Sequence, residues 1–190
     1  FCKHSFLVYK IISNTMSAKI IESKPISTKD NSFMGVDLDS MKSKITKKTR
    51  VIFIANPGNP TGVALPIKDI EAFIKKISKK IIVVIDEAYY EYSSYYGFKS
   101  GISLLGKYPN IIITRSFSKI YALAGIRVGY GLASKEIINK FNDIRQPFNV
   151  NYIAQRMAKE SLSDDKYLKK SLDLNNIGMQ FLKLEFDQLK

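Results

Sequence analysis

Lys119 has the neighbours that a reactive amine needs. It closes the polar run Thr114-Arg115-Ser116-Phe117-Ser118, and Arg127 follows it in the same connection. Ser116, Ser118 and Arg127 are types that grip a phosphate through charge-assisted hydrogen bonds, while a lysine amine can attack an aldehyde on the same ligand. Ala122, Ala124 and Gly125 lie between them and permit tight turns and close backbone approach. A plainer reading competes, because in a chain with 30 basic residues most lysines and arginines are solvated surface charges. Two further segments bear on the choice. In Asn56-Pro57-Gly58-Asn59-Pro60-Thr61-Gly62 each proline lacks an N–H and biases the residue before it to extended geometry, so the loop is rigid and can hold a side-chain amide in fixed orientation. In Asp86-Glu87-Ala88-Tyr89 a carboxylate directly follows an apolar run; partly buried there, it needs a cationic partner. The bland alternative for this pair is that Asp86 caps the next turn and Tyr89 packs.

These segments need a scaffold, and the apolar runs supply one. Arg50 to Ala55, Ile81 to Ile85 and Ile111 to Ile113 each read as a strand, the last two covered on both faces, and each ends in one of the polar segments. Open α/β sheets bind ligands at such carboxyl ends. Between the strands, Pro66 opens a helix that buries Ile67, Ile70, Phe73, Ile74 and Ile77. Upstream, the spacing of Phe6, Tyr9, Ile12 and Met16 predicts a helix over 5–16, and Ala18 to Glu22 reads as a short strand. Asp30-Asn31-Ser32 with Gly35 marks a loop, and Asp37 or Asp39 caps a small helix carrying Leu38, Met41 and Ile45. Downstream come a loop from Gly97 to Pro109 with a helical piece at Ile102 to Leu105, a strand from Val128 to Leu132, and a helix capped by Ser134 that runs through Phe141. Arg145-Gln146-Pro147-Phe148-Asn149-Val150-Asn151 breaks the chain, with helices predicted over 152–162 and 164–189. The alternation predicts an α/β fold, a mostly parallel sheet flanked by helices, with one domain over 1–145 and a second beginning at 146.

Composition narrows the function classes. With 190 residues and 45% hydrophobic, the chain can bury one sizeable core, and no stretch is apolar for long enough to cross a bilayer. The opening FCKHSFLVYKIIS is interrupted by Lys3, His4 and Lys10, which argues against an export signal. One cysteine, Cys2, excludes an internal disulfide framework and a thiolate metal cluster and suits a reducing cytoplasm, and one histidine leaves metal chemistry without support. The net charge of +13 raises nucleic acid as a partner. The lysines are instead scattered through helices and turns, Lys68, Lys75, Lys76, Lys79 and Lys80 among them, so a basic nucleic-acid-binding module stands only as the alternative outside enzymes.

The three polar segments, in this order and spacing, resemble fold-type I pyridoxal-phosphate (PLP) aminotransferases of class I/II. HSFLVY at 4–9, AGIRVGYG at 124–131 and RQPFNVN at 145–151 resemble the histidinol-phosphate aminotransferases within that family. The resemblance covers most of the chain and implies the large PLP-binding domain. It implies that Lys119 attaches the cofactor and moves the substrate proton, that Asp86 pairs with the protonated pyridine nitrogen, and that Asn59 and Tyr89 bond the phenolic oxygen. Ser116, Ser118 and Arg127 would hold the phosphate, and Phe6 would stack on the ring, although it could equally be a core residue of the first helix. Histidinol phosphate and the pair 2-oxoglutarate and glutamate would be the substrates of a homodimer acting in histidine biosynthesis. An aromatic-amino-acid aminotransferase or a threonine-phosphate decarboxylase on the same residues is the alternative within PLP chemistry. On this alignment a glycine-rich phosphate loop and the partner subunit's tyrosines belong before Phe1 and a substrate-binding arginine after Lys190, so the chain is expected to be a fragment without transamination of its own.

Overall fold

The computed structural model describes residues 1–27 and 34–189. In chain order the elements are α1 (Val8–Thr15), β1 (Pro25–Ser27), β2 (Met34–Val36), α2 (Leu38–Ser43), β3 (Val51–Ala55), α3 (Ile67–Lys75), β4 (Ile82–Asp86), α4 (Tyr90–Ser94), a 3-10 turn at Gly101–Leu104, β5 (Ile111–Ser116), a second at Ala124–Ile126, β6 (Gly129–Ala133), α5 (Lys135–Ile144), α6 (Tyr152–Ser161) and α7 (Asp165–Asp187). The chain divides into two compact units. One comprises Phe1–Arg115 and Tyr130–Gln146, the other Ser116–Gly129 and Pro147–Lys190. The linear reading drew its boundary at 145/146; the second unit also takes in Ser116–Gly129, the stretch that carries Lys119.

The first unit is built on a sheet of order β3-β4-β5-β6. β3 pairs with β4 and β4 with β5 in parallel, Ala55 opposite Asp86 and Asp86 opposite Thr114. β-branched side chains suit a pleated, packed surface, and alternation sends them to two faces. Ile52 and Ile54, Val83 and Ile85, and Ile111 and Ile113 point one way and form the core with Met41 of α2, Leu104, and Ile70, Phe73 and Ile74 of α3. The other face is less completely covered. β4 alternates buried with half-buried residues instead of being sealed on both sides, and only the start of β5 is buried throughout. On that second face the Tyr9 ring of α1 stacks on Phe53, centroids 4.8 Å apart.

Several boundaries differ from the sequence reading. Ala18 to Glu22 forms no strand: the pairing beside it is an isolated bridge between Cys2 and Ser23, with Lys3 N donating to Ser23 O, Ser23 N to Phe1 O and the Phe1 amine to Ile21 O. Gly35 lies in β2, paired with Ile26 of β1, while Asp30 to Ser32 fall outside the described residues. Asp37, not Asp39, caps α2, its carboxylate accepting from Ser40 N at 2.8 Å. Thr114 to Ser116 are strand, not turn, because Glu87 N extends the β4–β5 ladder by donating to Thr114 O. Ser134 precedes α5, but its hydroxyl donates to Pro109 O and caps nothing. In the second unit Asn151 and Asp164 cap α6 and α7 through Ala154 N and Tyr167 N. No helix among the described residues is long and apolar enough to cross a membrane.

Candidate active site

Two adjacent carboxylates end β4 in opposite surroundings. Asp86 shares a face with Val84, which pairs with Phe53, so the Tyr9 ring stacked on Phe53 brings its hydroxyl to the same place. Tyr9 donates to Asp86 Oδ2 at 2.6 Å, and Ala88 N donates to Oδ1 at 3.2 Å. Burial, reinforced by the Asp86 charge, pushes the Tyr9 hydroxyl well above its usual range, so it stays a donor. Asp86 thus caps the next turn, as the bland reading held, and also presents an oriented, half-buried carboxylate.

Glu87 points into the core and is 1% exposed. Arg115 Nε and Nη2 bond its Oε2 at 2.8 and 2.7 Å, Ser100 Oγ donates to the same oxygen at 2.7 Å, and Gly101 N donates to Oε1 at 2.6 Å. Arg115 Nη1 bonds Glu91 Oε1 at 3.0 Å, and the guanidinium carbon lies 4.0 Å above the Tyr90 ring. Burial pushes the Glu91 carboxyl above the usual carboxylate range, against the lowering effect of Arg115. A β-carbon on Gly101 would come within 2.8 Å of Ile113 Cδ1, so glycine is what lets this backbone approach. Both oxygens of Glu87 are therefore engaged by the fold itself, whereas Asp86 stands beside the Asn56–Gly62 loop, whose Asn56 N–H donates to its carbonyl.

The Asn56–Gly62 loop is clamped at its base. Buried Asn56 donates through Nδ2 to Leu65 O and accepts from Leu65 N at 2.6 Å, while its own N–H donates to Asp86 O. That fixes Asn59, whose Nδ2 donates to the Tyr89 hydroxyl at 3.4 Å. Asn59, Asp86 and Tyr89 all belong to the first unit, and the structure brings Asn59 to Tyr89 and Tyr9 to Asp86. Phe6 precedes α1, is 40% exposed, and meets Tyr9 edge-on at 6.0 Å; it is not a core residue. Sequence reasoning missed Tyr9, Arg115 and Asn56. The parity of Ile111, Ile113 and Arg115 was the available signal for a buried arginine, and Glu87 and Glu91, four apart, for its partners.

In the second unit Ser116 Oγ accepts from Ser118 N at 3.0 Å, which curls the chain just ahead of Lys119. Ala122 N bonds Lys119 O, Leu123 N bonds Phe117 O, and Phe117 N bonds Val128 O, so the loop is closed on itself while Phe117 and Ile120 are buried. Lys119 is exposed, as is Arg127, which sits at φ 59° and donates through Nη1 to Ala124 O at 2.6 Å. One loop therefore presents an amine, two hydroxyls and a guanidinium. Among the described residues no group of His, Cys, Asp and Glu is placed to hold a metal.

Residues 5–188 match the family described as Aminotransferase class I and II. The chain is 43% identical over 188 residues to a histidinol-phosphate aminotransferase 2 of Hydrogenovibrio crunogenus, an alignment covering 99% of this chain and 49% of that protein. Among solved structures, the histidinol-phosphate aminotransferase of Clostridium acetobutylicum superposes with a TM-score of 0.84 at 28% identity, over 98% of this chain and 54% of that one. The enzyme of that name from Sinorhizobium meliloti, solved in complex with pyridoxal-5'-phosphate, gives 0.79 at 27% identity, over 90% and 45%. The chain spans about half the length of the curated relatives it matches.

Proposed function

The chain belongs to the aminotransferase class I and II family, and from that premise we propose that the protein moves an amino group between histidinol phosphate and the pair 2-oxoglutarate and glutamate, in histidine biosynthesis. The observation that carries this reading is the match over 5–188 together with 43% identity to a histidinol-phosphate aminotransferase across nearly the whole chain. The donor sets suit PLP chemically. An amide N–H and a hydroxyl, Asn59 and Tyr89, are 3.4 Å apart and complement a phenolic oxygen. The oriented carboxylate of Asp86 complements a protonated ring nitrogen, and the Lys119 loop offers an amine for an aldehyde with Ser116, Ser118 and Arg127 for a phosphate.

When bound, PLP supplies an electron sink for the substrate's amino-bearing carbon. Lys119 Nζ would anchor the group and then take and return the proton at that carbon, as a general base and acid. Asp86 would hold a proton on the ring nitrogen, its carboxylate oriented by the Tyr9 O–H bond. Asn59 Nδ2 and Tyr89 Oη would orient the group through its phenolic oxygen, Ser116, Ser118 and Arg127 would bind its phosphate, and Phe6 would stack on its ring. The protein acts as a cytoplasmic homodimer on this reading. A comparison of kcat/KM for histidinol phosphate and aromatic amino acids tests it: preference for histidinol phosphate is the expected outcome. A better aromatic donor, or decarboxylation of threonine phosphate, would overturn the substrate while leaving PLP chemistry standing.

A further inference from the structure

We infer that Arg115 is a positioning residue: by tying the ends of β4 and β5 together through Glu87, it aims Asp86 and sets the start of the loop that carries Lys119. The inference rests on the reading of Asp86 and Lys119 given above. Its physical basis is independent of that reading. Arg115 is 8% exposed and Glu87 1% exposed, and a buried ion pair of this kind costs desolvation that a pair of apolar residues would avoid, so bare stability is a poor account of it. What the pair does provide is directional. Glu87 immediately follows Asp86 and receives two guanidinium N–H groups and a serine hydroxyl on Oε2 and the Gly101 amide on Oε1, contacts that hold the chain at the end of β4. Alternation then sends Asp86 to the opposite face, where Tyr9 takes Oδ2.

On β5, Arg115 is the last residue before Ser116, whose hydroxyl begins the turn to Lys119. The backbone ladder between β4 and β5 ends one step earlier, at Glu87 N to Thr114 O. On its β4 side, the strand is therefore held by the Arg115 side chain beyond the point where main-chain pairing with β4 stops, while Phe117 N still bonds Val128 O on the other side. Glu91 and the Tyr90 ring fix the guanidinium from α4, and Ser100 from the far side, so the fork has one orientation. A lysine would keep the charge and lose the fork.

The test compares the intact wild-type protein with Arg115→Lys and with the charge-compensated triple variant Arg115→Met/Glu87→Gln/Glu91→Gln, which removes the buried charges together instead of stranding two carboxylates. Backbone amide exchange without cofactor is measured first. The expected result is exchange about tenfold or more faster at residues 87–89 and 116–121 in the compensated variant, with β3 unchanged. Should that variant not fold, Arg115→Lys is read in the same way. Wild-type exchange in both segments would overturn the inference. PLP titration and steady-state kinetics follow: kcat is expected to fall about ten- to a hundredfold with little change in KM for the amino donor. Unchanged PLP affinity and kcat in a variant whose segments have loosened would also overturn it. If the wild-type protein itself binds no PLP, the functional reading fails, and the exchange comparison alone decides the positioning role.

Discussion

Asp86 and Glu87 are the same functional group one residue apart, and the fold treats them oppositely. Glu87 is sealed in the core with an arginine, a hydroxyl and an amide on it; Asp86 is half-buried, held by a tyrosine hydroxyl and one turn amide, beside the loop that carries Asn59. The difference shows how a strand end can separate anchoring from chemistry. Alternation gives one carboxylate to each face, and the face with a complete set of donors becomes structural. A carboxylate that must meet a ligand cannot be so fully satisfied beforehand.

The largest effect should come from breaking the anchoring side. Arg115→Ala leaves Glu87 and Glu91 buried without their cation and is expected to destabilise the fold by about 3 to 5 kcal/mol in urea unfolding. A loss below about 1 kcal/mol would mean that water reaches the cluster. On the other side of the comparison, Asp86→Asn is expected to leave unfolding midpoints and PLP retention nearly unchanged while kcat falls about a hundredfold or more, since an amide no longer favours a protonated ring nitrogen. Wild-type turnover in that variant would show that the two carboxylates had been given the wrong roles.

Much of this division was legible beforehand, and the parts that were not have a common cause. The apolar runs from Arg50 to Ala55, Ile81 to Ile85 and Ile111 to Ile113 and the polar segments behind them depend on local pattern, and the structure has strands there, at Val51–Ala55, Ile82–Asp86 and Ile111–Ser116. Tyr9 was hidden because at helical spacing it reads as one more apolar position beside Phe6 and Ile12; its hydroxyl acquires a role only through Asp86, 77 residues away. Arg115 reads locally as part of a polar turn, because strand length depends on the neighbouring strand, which β4 supplies at Thr114. Ala18 to Glu22 shows the converse: it has the residue types of a strand, but among the described residues the pairing beside it stops at one isolated bridge. The grouping of Ser116–Gly129 with the C-terminal helices could not be read from a linear boundary at all.

Two smaller perturbations sharpen the contrast. Tyr9→Phe keeps the ring stacked on Phe53 and deletes the hydroxyl on Asp86, for an expected loss of about 1.5 kcal/mol or more from a bond to a charged group. An unchanged midpoint would mean that solvent replaces the tyrosine. Glu91→Gln should have the smallest effect, and one that depends on pH. Burial raises the folded-state value of Glu91 above the ordinary 4.5, so the folded protein holds that proton more tightly, and stability falls as pH rises from 4.5 through the raised value. The glutamine variant lacks this decline. Unfolding midpoints measured at both ends of that window should shift in favour of the variant as pH rises; a constant difference would indicate that Arg115 dominates the Glu91 environment.

The central claim, that the loop after β5 carries the cofactor-binding amine, is tested most directly by incubating the intact protein with PLP, reducing with borohydride, and mapping the modified peptide by mass spectrometry. The expected result is a single labelled site at Lys119, absent from a Lys119→Ala variant with wild-type circular dichroism. Label on another lysine, or label that persists in that variant, would contradict the account.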